Sequence, residues 1–201
     1  MPKPYIPNDK WSQRAAKEGY LARSVYKLME LDARYELIRP GLRVLDIGAA
    51  PGSWLQYTSD KLGPNGRVLG LDLKPIKDIA PNVTTKVIDV FDDAAVSNAI
   101  AEMSWKHVDL VLSDIAPNTS GIKDVDQWRS IELNRKIAAI AQKYLRGHGA
   151  VVMKVFRGKD FDAFTHELKT QFGRLKVMSA LASRDRSREV YVVCSDAIAV
   201  S

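Results

Sequence analysis

The spacing of Gly48-Ala-Ala-Pro-Gly52 and Asp72 suits the binding of a nucleoside. Val44, Leu45 and Ile47 predict a buried strand, and small residues at its end let a ligand come close to the backbone. Asp72 ends the next apolar run, Arg67-Val-Leu-Gly-Leu-Asp72, twenty residues after Gly52. A carboxylate there can accept hydrogen bonds from both hydroxyls of a ribose. A dinucleotide would call for G-x-G-x-x-G, so that its pyrophosphate sits on a helix N-terminus. Here Pro51 stands inside the turn and no third glycine follows at the required place. The loop suits a ligand without phosphate better, and S-adenosylmethionine, an adenosine joined through a sulfonium to an amino acid, is such a ligand. Asp46 would then support the loop or the amino-acid ammonium. Asp89, ending Lys86-Val-Ile-Asp89, either accepts from the adenine amino group or caps the helix expected near residue 92.

A second set of residues could serve an acceptor. Lys154 stands in Ala150-Val-Val-Met-Lys-Val-Phe156, which is otherwise apolar. Burying an amine costs free energy unless it is paired or neutral, so Lys154 either has a partner or emerges at the strand end into solvent. Asp114 follows the run Val108-Asp-Leu-Val-Leu-Ser113 and would lie one strand from Lys154 if the two strands are neighbours. An Asp–Lys pair could then stand over the methyl group of the cofactor. Glu189 opens Glu189-Val-Tyr-Val-Val193, and read alone it is an exposed charge at a strand start. Lys27, in Ser24-Val-Tyr-Lys-Leu28, reads alone as a solvated charge on a helix.

These residues need a scaffold that brings them to one edge. Apolar runs predict strands at 43–47, 67–72, 84–89, 108–113, 149–155, 174–180 and 189–195. Between them, periodic segments predict helices at 53–62, 92–103, 126–145 and 160–172, with Ser53 near the start of the first. Residues 11–36 read as helical with a break at Gly19, and residues 1–10, with three prolines, as irregular. Alternation of strand and helix predicts an α/β fold, a mostly parallel seven-stranded sheet with helices on both faces. The link from Leu181 to Arg188 is too short for a helical crossover, so the last two strands should form an antiparallel hairpin. In such a sheet the ligand lies beyond the C-terminal strand edge. Gly48–Gly52, Asp72, Asp89, Asp114 and Lys154–Arg157 all fall there. Glu189 joins them because its strand runs the other way.

With 201 residues, the chain fits a single domain, 1–201, led by a basic helical extension at 1–40. One cysteine excludes an intrachain disulfide, and one cysteine with three dispersed histidines predicts no metal site. No signal peptide and no membrane-length apolar run is evident, so a soluble cytoplasmic protein is expected. The net charge is +6, and residues 1–43 hold nine Lys/Arg against five Asp/Glu. Lys10, Arg14, Lys17, Arg23 and Arg34 precede the first strand, while Arg184, Arg186 and Arg188 crowd the segment before Glu189. If both groups flank one cleft they could hold a phosphodiester backbone, and Trp11, Tyr20 and Trp128 could stack on bases or lie in the core.

Across residues 10 to about 195 the chain resembles the RrmJ/FtsJ family of ribose 2′-O-methyltransferases. The resemblance rests on Ala22-Arg-Ser-Val-Tyr-Lys-Leu28, Asp46-Ile-Gly-Ala-Ala-Pro-Gly-Ser-Trp54, Ser113-Asp-Ile-Ala-Pro-Asn-Thr-Ser-Gly121 and Val152-Met-Lys-Val-Phe156, with Ser183-Arg-Asp-Arg-Ser-Arg-Glu-Val-Tyr191 completing it. It implies a single Rossmann-like class I methyltransferase domain that uses S-adenosylmethionine. The family's catalytic Lys-Asp-Lys-Glu set falls on Lys27, Asp114, Lys154 and Glu189, and its cofactor contacts on Gly52, Trp54, Asp72, Asp89 and Asp114. The family's second loop glycine is Ser53 here. Lys154, held by Asp114 and Glu189, would then remove the proton of a ribose 2′-hydroxyl, or stay charged and stabilise the developing alkoxide. The implied partner is ribosomal RNA, a uridine of the large subunit, acted on by a monomer. Alternatives are a transfer RNA methyltransferase, or an RNA-binding ribosome-assembly factor whose methylation is incidental. An NAD-dependent oxidoreductase is disfavoured by the missing glycine.

Overall fold

The computed structural model describes residues 10–181 and 188–198. Strands β1 (Arg43–Ile47), β2 (Arg67–Asp72), β3 (Val83–Val87), β4 (Val108–Ser113), β5 (Leu145–Phe156), β6 (Phe172–Met178) and β7 (Glu189–Ala197) form one sheet in the order β3-β2-β1-β4-β5-β7-β6. The first five strands pair parallel. β7 runs antiparallel to both neighbours, so the expected hairpin forms, with β7 placed between β5 and β6.

The helices are α1 (Lys10–Lys17), α2 (Val25–Tyr35), α3 (Ser53–Leu62), α4 (Asp93–Glu102), α5 (Lys123–Tyr144) and α6 (Phe161–Gln171). Side chains alternate across the sheet with period two, which builds a core on each face. One face packs Leu28 and Leu31 of α2 and Trp54 and Leu55 of α3 on Val44, Leu112, Val152 and Tyr191. The other packs α4, α5 and α6 on Leu45, Val111, Met153 and Val192. Since Lys154 shares the parity of Val152, and Glu189 that of Tyr191, both belong to the face that carries α2.

The helical lead segment is two helices, broken at Gly19, whose φ of 82° favours glycine. Gln56 of α3 clamps the break, donating to Gly19 O at 3.0 Å and accepting from Leu21 N at 2.9 Å. Arg14 stacks over the Tyr26 ring at 4.7 Å, and Tyr26 donates to Glu18 at 2.9 Å. The expected strand at 84–89 lies instead at Val83–Val87, a half-exposed edge strand whose interior, Thr84-Thr-Lys86, is polar. The expected strand at 149–155 begins earlier, at Leu145, through Arg146-Gly-His-Gly149, a polar stretch that reads as loop. No helix among the described residues is long and apolar enough to cross a membrane.

Candidate active site

At the C-terminal edge of β1, β2, β3 and β4 the loops enclose a cavity of about 680 Å³, lined by Gly48, Asp72, Asp89, Ile115, Asn118 and Trp128 among others. Asp72 Oδ2 accepts from Ala50 N at 2.9 Å and Oδ1 from Lys74 N at 2.8 Å, which ties the glycine loop to β2. Each of these oxygens keeps a second lone pair for a ligand hydroxyl. Asp89 lies two residues past β3 and accepts from Phe91 N at 3.0 Å. Asp89 is not the helix cap: Asp92 caps α4 by accepting from Ala95 N at 3.0 Å.

A smaller recess shares Gly48 with this cavity and is lined by Ser24, Asp46, Ser53, Trp54 and Asp114. Gly52, at φ 114°, is the N-cap of α3, and Ser53 is the first helical residue, 3.0 Å from the Ser24 hydroxyl. Trp54 is buried under the recess and donates from Nε1 to Ser24 O at 2.9 Å. Asp46 is 1% exposed, and its Oδ2 has no hydrogen-bond partner among the described residues. Burial, reinforced by Asp114 and Asp72, pushes its carboxyl well above the usual carboxylate range.

On the other side of Asp114 the four separated residues meet. Lys154 Nζ lies 3.2 Å from Asp114 Oδ1 and donates to Asp114 O at 2.5 Å. Lys27 Nζ donates to Glu189 Oε2 at 2.9 Å, so the lysine that Glu189 holds is Lys27 of α2 rather than the expected Lys154. Both lysines are 7% exposed, so neither is the solvated charge that each resembles in isolation. The register supplies the approach: Ser113 pairs with Met153, and Phe156 with Glu189. Lys27 comes from α2, which packs on the same face.

One further residue joins the two pairs. Tyr191 is fully buried and donates to Asp114 Oδ1 at 2.5 Å, while Lys27 Nζ sits 5.8 Å from its ring centroid. Desolvation, with Asp114 beside it, pushes the Tyr191 phenol well above its ordinary value, which keeps it a donor. Strand periodicity could have found it, because Tyr191 shares a face with Glu189, two residues earlier.

The Lys27–Glu189 contact also draws together two basic segments. Arg23 lies just before α2, and Arg188 directly precedes Glu189. Arg184 and Arg186 lie outside the described residues. Among the candidate stacking aromatics, Trp11 and Tyr20 pack in a small cluster around Tyr26, whereas Trp128 is 56% exposed at the cavity rim.

Comparison with known proteins bears on the family and the fold. A family model described as FtsJ-like methyltransferase matches residues 20–197. A protein of Azoarcus sp. (strain BH72) named ribosomal RNA large subunit methyltransferase E is 45% identical over 189 residues, covering 94% of this chain and 92% of the relative. One of the same name from Desulfatibacillum aliphaticivorans is 42% identical over 186 residues, covering 92% and 88%. A crystal structure described as a ribosomal RNA methyltransferase from Plasmodium falciparum superposes with a TM-score of 0.80 at 29% identity, covering 90% of this chain and all of that one.

Proposed function

The chain belongs to the FtsJ-like methyltransferase family and is an RNA methyltransferase; from that premise we propose that it methylates a ribose 2′-hydroxyl of large-subunit ribosomal RNA, at a uridine, using S-adenosylmethionine. The observation that carries this reading is the meeting of Lys27, Asp114, Lys154 and Glu189 beside a nucleoside-sized cavity.

The residues present fit the cofactor. Asp72 and Asp89 face the cavity where ribose hydroxyls and an adenine amino group need acceptors. The unpartnered Asp46 Oδ2, in the adjoining recess, suits an ammonium. Gly48 lets Ile115 of the cavity wall pack directly on the loop, since a Cβ there would meet Ile115 at 2.5 Å. Trp54 lines the recess, and Gly52 is the N-cap of the helix that carries it. When bound, S-adenosylmethionine supplies an electrophilic methyl on a sulfonium that is already a good leaving group, so no metal is needed.

Lys154 donates one hydrogen bond to the Asp114 carbonyl and pairs as an ion with the Asp114 carboxylate. A further position on the amine serves the substrate hydroxyl, whose proton Lys154 takes, or whose developing charge it steadies. Tyr191 holds Asp114 at the same carboxylate oxygen, Oδ1, that faces Lys154, and Glu189 holds Lys27 over the Tyr191 ring. Positioning of the hydroxyl by these groups is a large part of the rate enhancement. The basic residues of α1 and α2 with Arg188 supply the sequence-independent grip on RNA. The protein acts as one domain, a monomer, in the cytoplasm where ribosomes are assembled.

The test is methyl transfer from labelled cofactor to isolated large ribosomal subunits and to bulk transfer RNA, with mass mapping of the product. A 2′-O-methyluridine in subunit RNA is the expected result. Label on transfer RNA alone, or on a base, would overturn the assignment.

A further inference from the structure

β5 runs three residues beyond β4 at the site edge, since Ser113 pairs with Met153 and β5 continues to Phe156. By that register Ile115 would be the β4-side partner of Val155, but the chain there has turned away to line the cavity with Ile115 and Asn118. Two side chains of α5 stand in its place. Asn134 Nδ2 donates to Lys154 O at 2.8 Å, and Ser130 Oγ accepts from Phe156 N at 3.1 Å. In a parallel ladder, one residue donates its N–H to a carbonyl on the partner strand and accepts from the N–H two residues further on. Asn134 and Ser130, one helical turn apart on α5, divide that donor and that acceptor between them. Both are buried, at 0% and 1% exposure. Asn134 Nδ2 also donates to Ser130 O at 2.8 Å, so the amide nitrogen faces two carbonyls and its orientation is set.

We propose that Ser130 and Asn134 are positioning residues for methyl transfer. They extend the sheet past the end of β4 and hold the Lys154 backbone in strand geometry. The segment 114–118 is thereby released to serve the cofactor cavity, while Lys154 stays aimed at the acceptor. The inference rests on Lys154 being the amine that meets the hydroxyl.

The test compares Ser130→Ala/Asn134→Leu, which keeps shape and removes both hydrogen bonds to β5 along with the one from Asn134 to Ser130 O, with wild type and with Lys154→Met. The double variant should lose about tenfold or more in kcat, as small misplacements of a reacting group do. It should keep the wild-type KM for cofactor and affinity for S-adenosylhomocysteine. Its pH–rate profile should shift, and the Phe156 amide should exchange faster with solvent. Should the double variant not fold, Asn134→Leu alone carries the same readouts. A folded variant with wild-type kcat and pH profile, beside an inactive Lys154→Met, overturns the positioning role only. An active Lys154→Met overturns the role assigned to Lys154, and the inference with it.

Discussion

Replacing Lys154 by methionine keeps an unbranched apolar stem and removes two contacts on Asp114, the 3.2 Å ion pair and the 2.5 Å hydrogen bond to its carbonyl. Stripping one partner from a buried ion pair costs about 3–5 kcal/mol when the remaining charge is stranded. Asp114 is not stranded, because Tyr191 still donates to Oδ1 and the carboxylate side chain is 17% exposed. The expected loss is therefore that of a hydrogen bond to a charged group, about 1.5–3 kcal/mol. For a chain of this size that lowers Tm by about 3–12 °C. Turnover should fall much further, by about 10²–10⁴-fold, the usual contribution of a positioned acid or base. Cofactor affinity should change by no more than about twofold, since Lys154 lines neither the cavity nor the recess. Single-turnover methyl transfer to large ribosomal subunits, calorimetry with S-adenosylhomocysteine and thermal unfolding measure the three quantities. A folded variant that binds cofactor and turns over within about tenfold of wild type would refute the reasoning.

Tyr191→Phe keeps the ring under Lys27 and removes the hydroxyl on Asp114; it should cost about 1.5–3 kcal/mol of stability and lower kcat with little change in the KM for RNA. Equal losses in kcat and cofactor affinity would place the phenol elsewhere in the mechanism. Asp46, its carboxyl pushed up by burial, holds a proton more tightly in the folded chain than in the unfolded one. Without cofactor, stability should thus fall as pH rises above the ordinary carboxylate range. Asp46→Asn should remove that slope and raise Tm at neutral pH while weakening S-adenosylhomocysteine binding about tenfold, the loss of one charge-assisted hydrogen bond; melts across pH with and without ligand would expose a failure of either half. Trp128 is exposed at the cavity rim, whereas Trp54 and Trp105 are buried. S-adenosylhomocysteine should protect its fluorescence from acrylamide, and Trp128→Phe should abolish that protection; an identical response in the variant would remove Trp128 from the cavity mouth.

Strand direction placed Asp114, Lys154 and Glu189 toward one edge, because Asp114 follows one apolar run, Glu189 opens another and Lys154 lies near the end of a third; that the strands of Asp114 and Lys154 are neighbours came only from the sheet order. Lys27 was not legible in that way. Its helix turn resembles any solvated one, and its place depends on α2 packing beside β7, 162 residues away. Resemblance to a family supplied it. Tyr191 escaped notice because an aromatic in a strand reads as core, which it also is. Ser130 and Asn134 interrupt the apolar stripe of Ile131, Ile137, Ala138 and Ala141, but local pattern says nothing about which backbone groups they meet. The Asp89 ambiguity was resolved by two neighbouring acids of similar turn propensity, of which Asp92 has the capping geometry. A hairpin of β6 and β7 was legible from its short link, but the seat of β7 between β5 and β6 was not, since either order satisfies the link.

That seat bears on how the protein is made. Translation delivers β1 through β4 and their loops first, then β5, α6 and β6, and only then the strand that must thread between two earlier ones. A nascent chain would thus have most of its cofactor-binding loops before Glu189 exists. It would also carry two unpaired strand edges, on β5 and β6, open to pairing with other chains until β7 fills the gap. Synthesis of the last strand closes that hazard and completes the acceptor side in the same step, so a stalled chain is at once inactive and prone to aggregate.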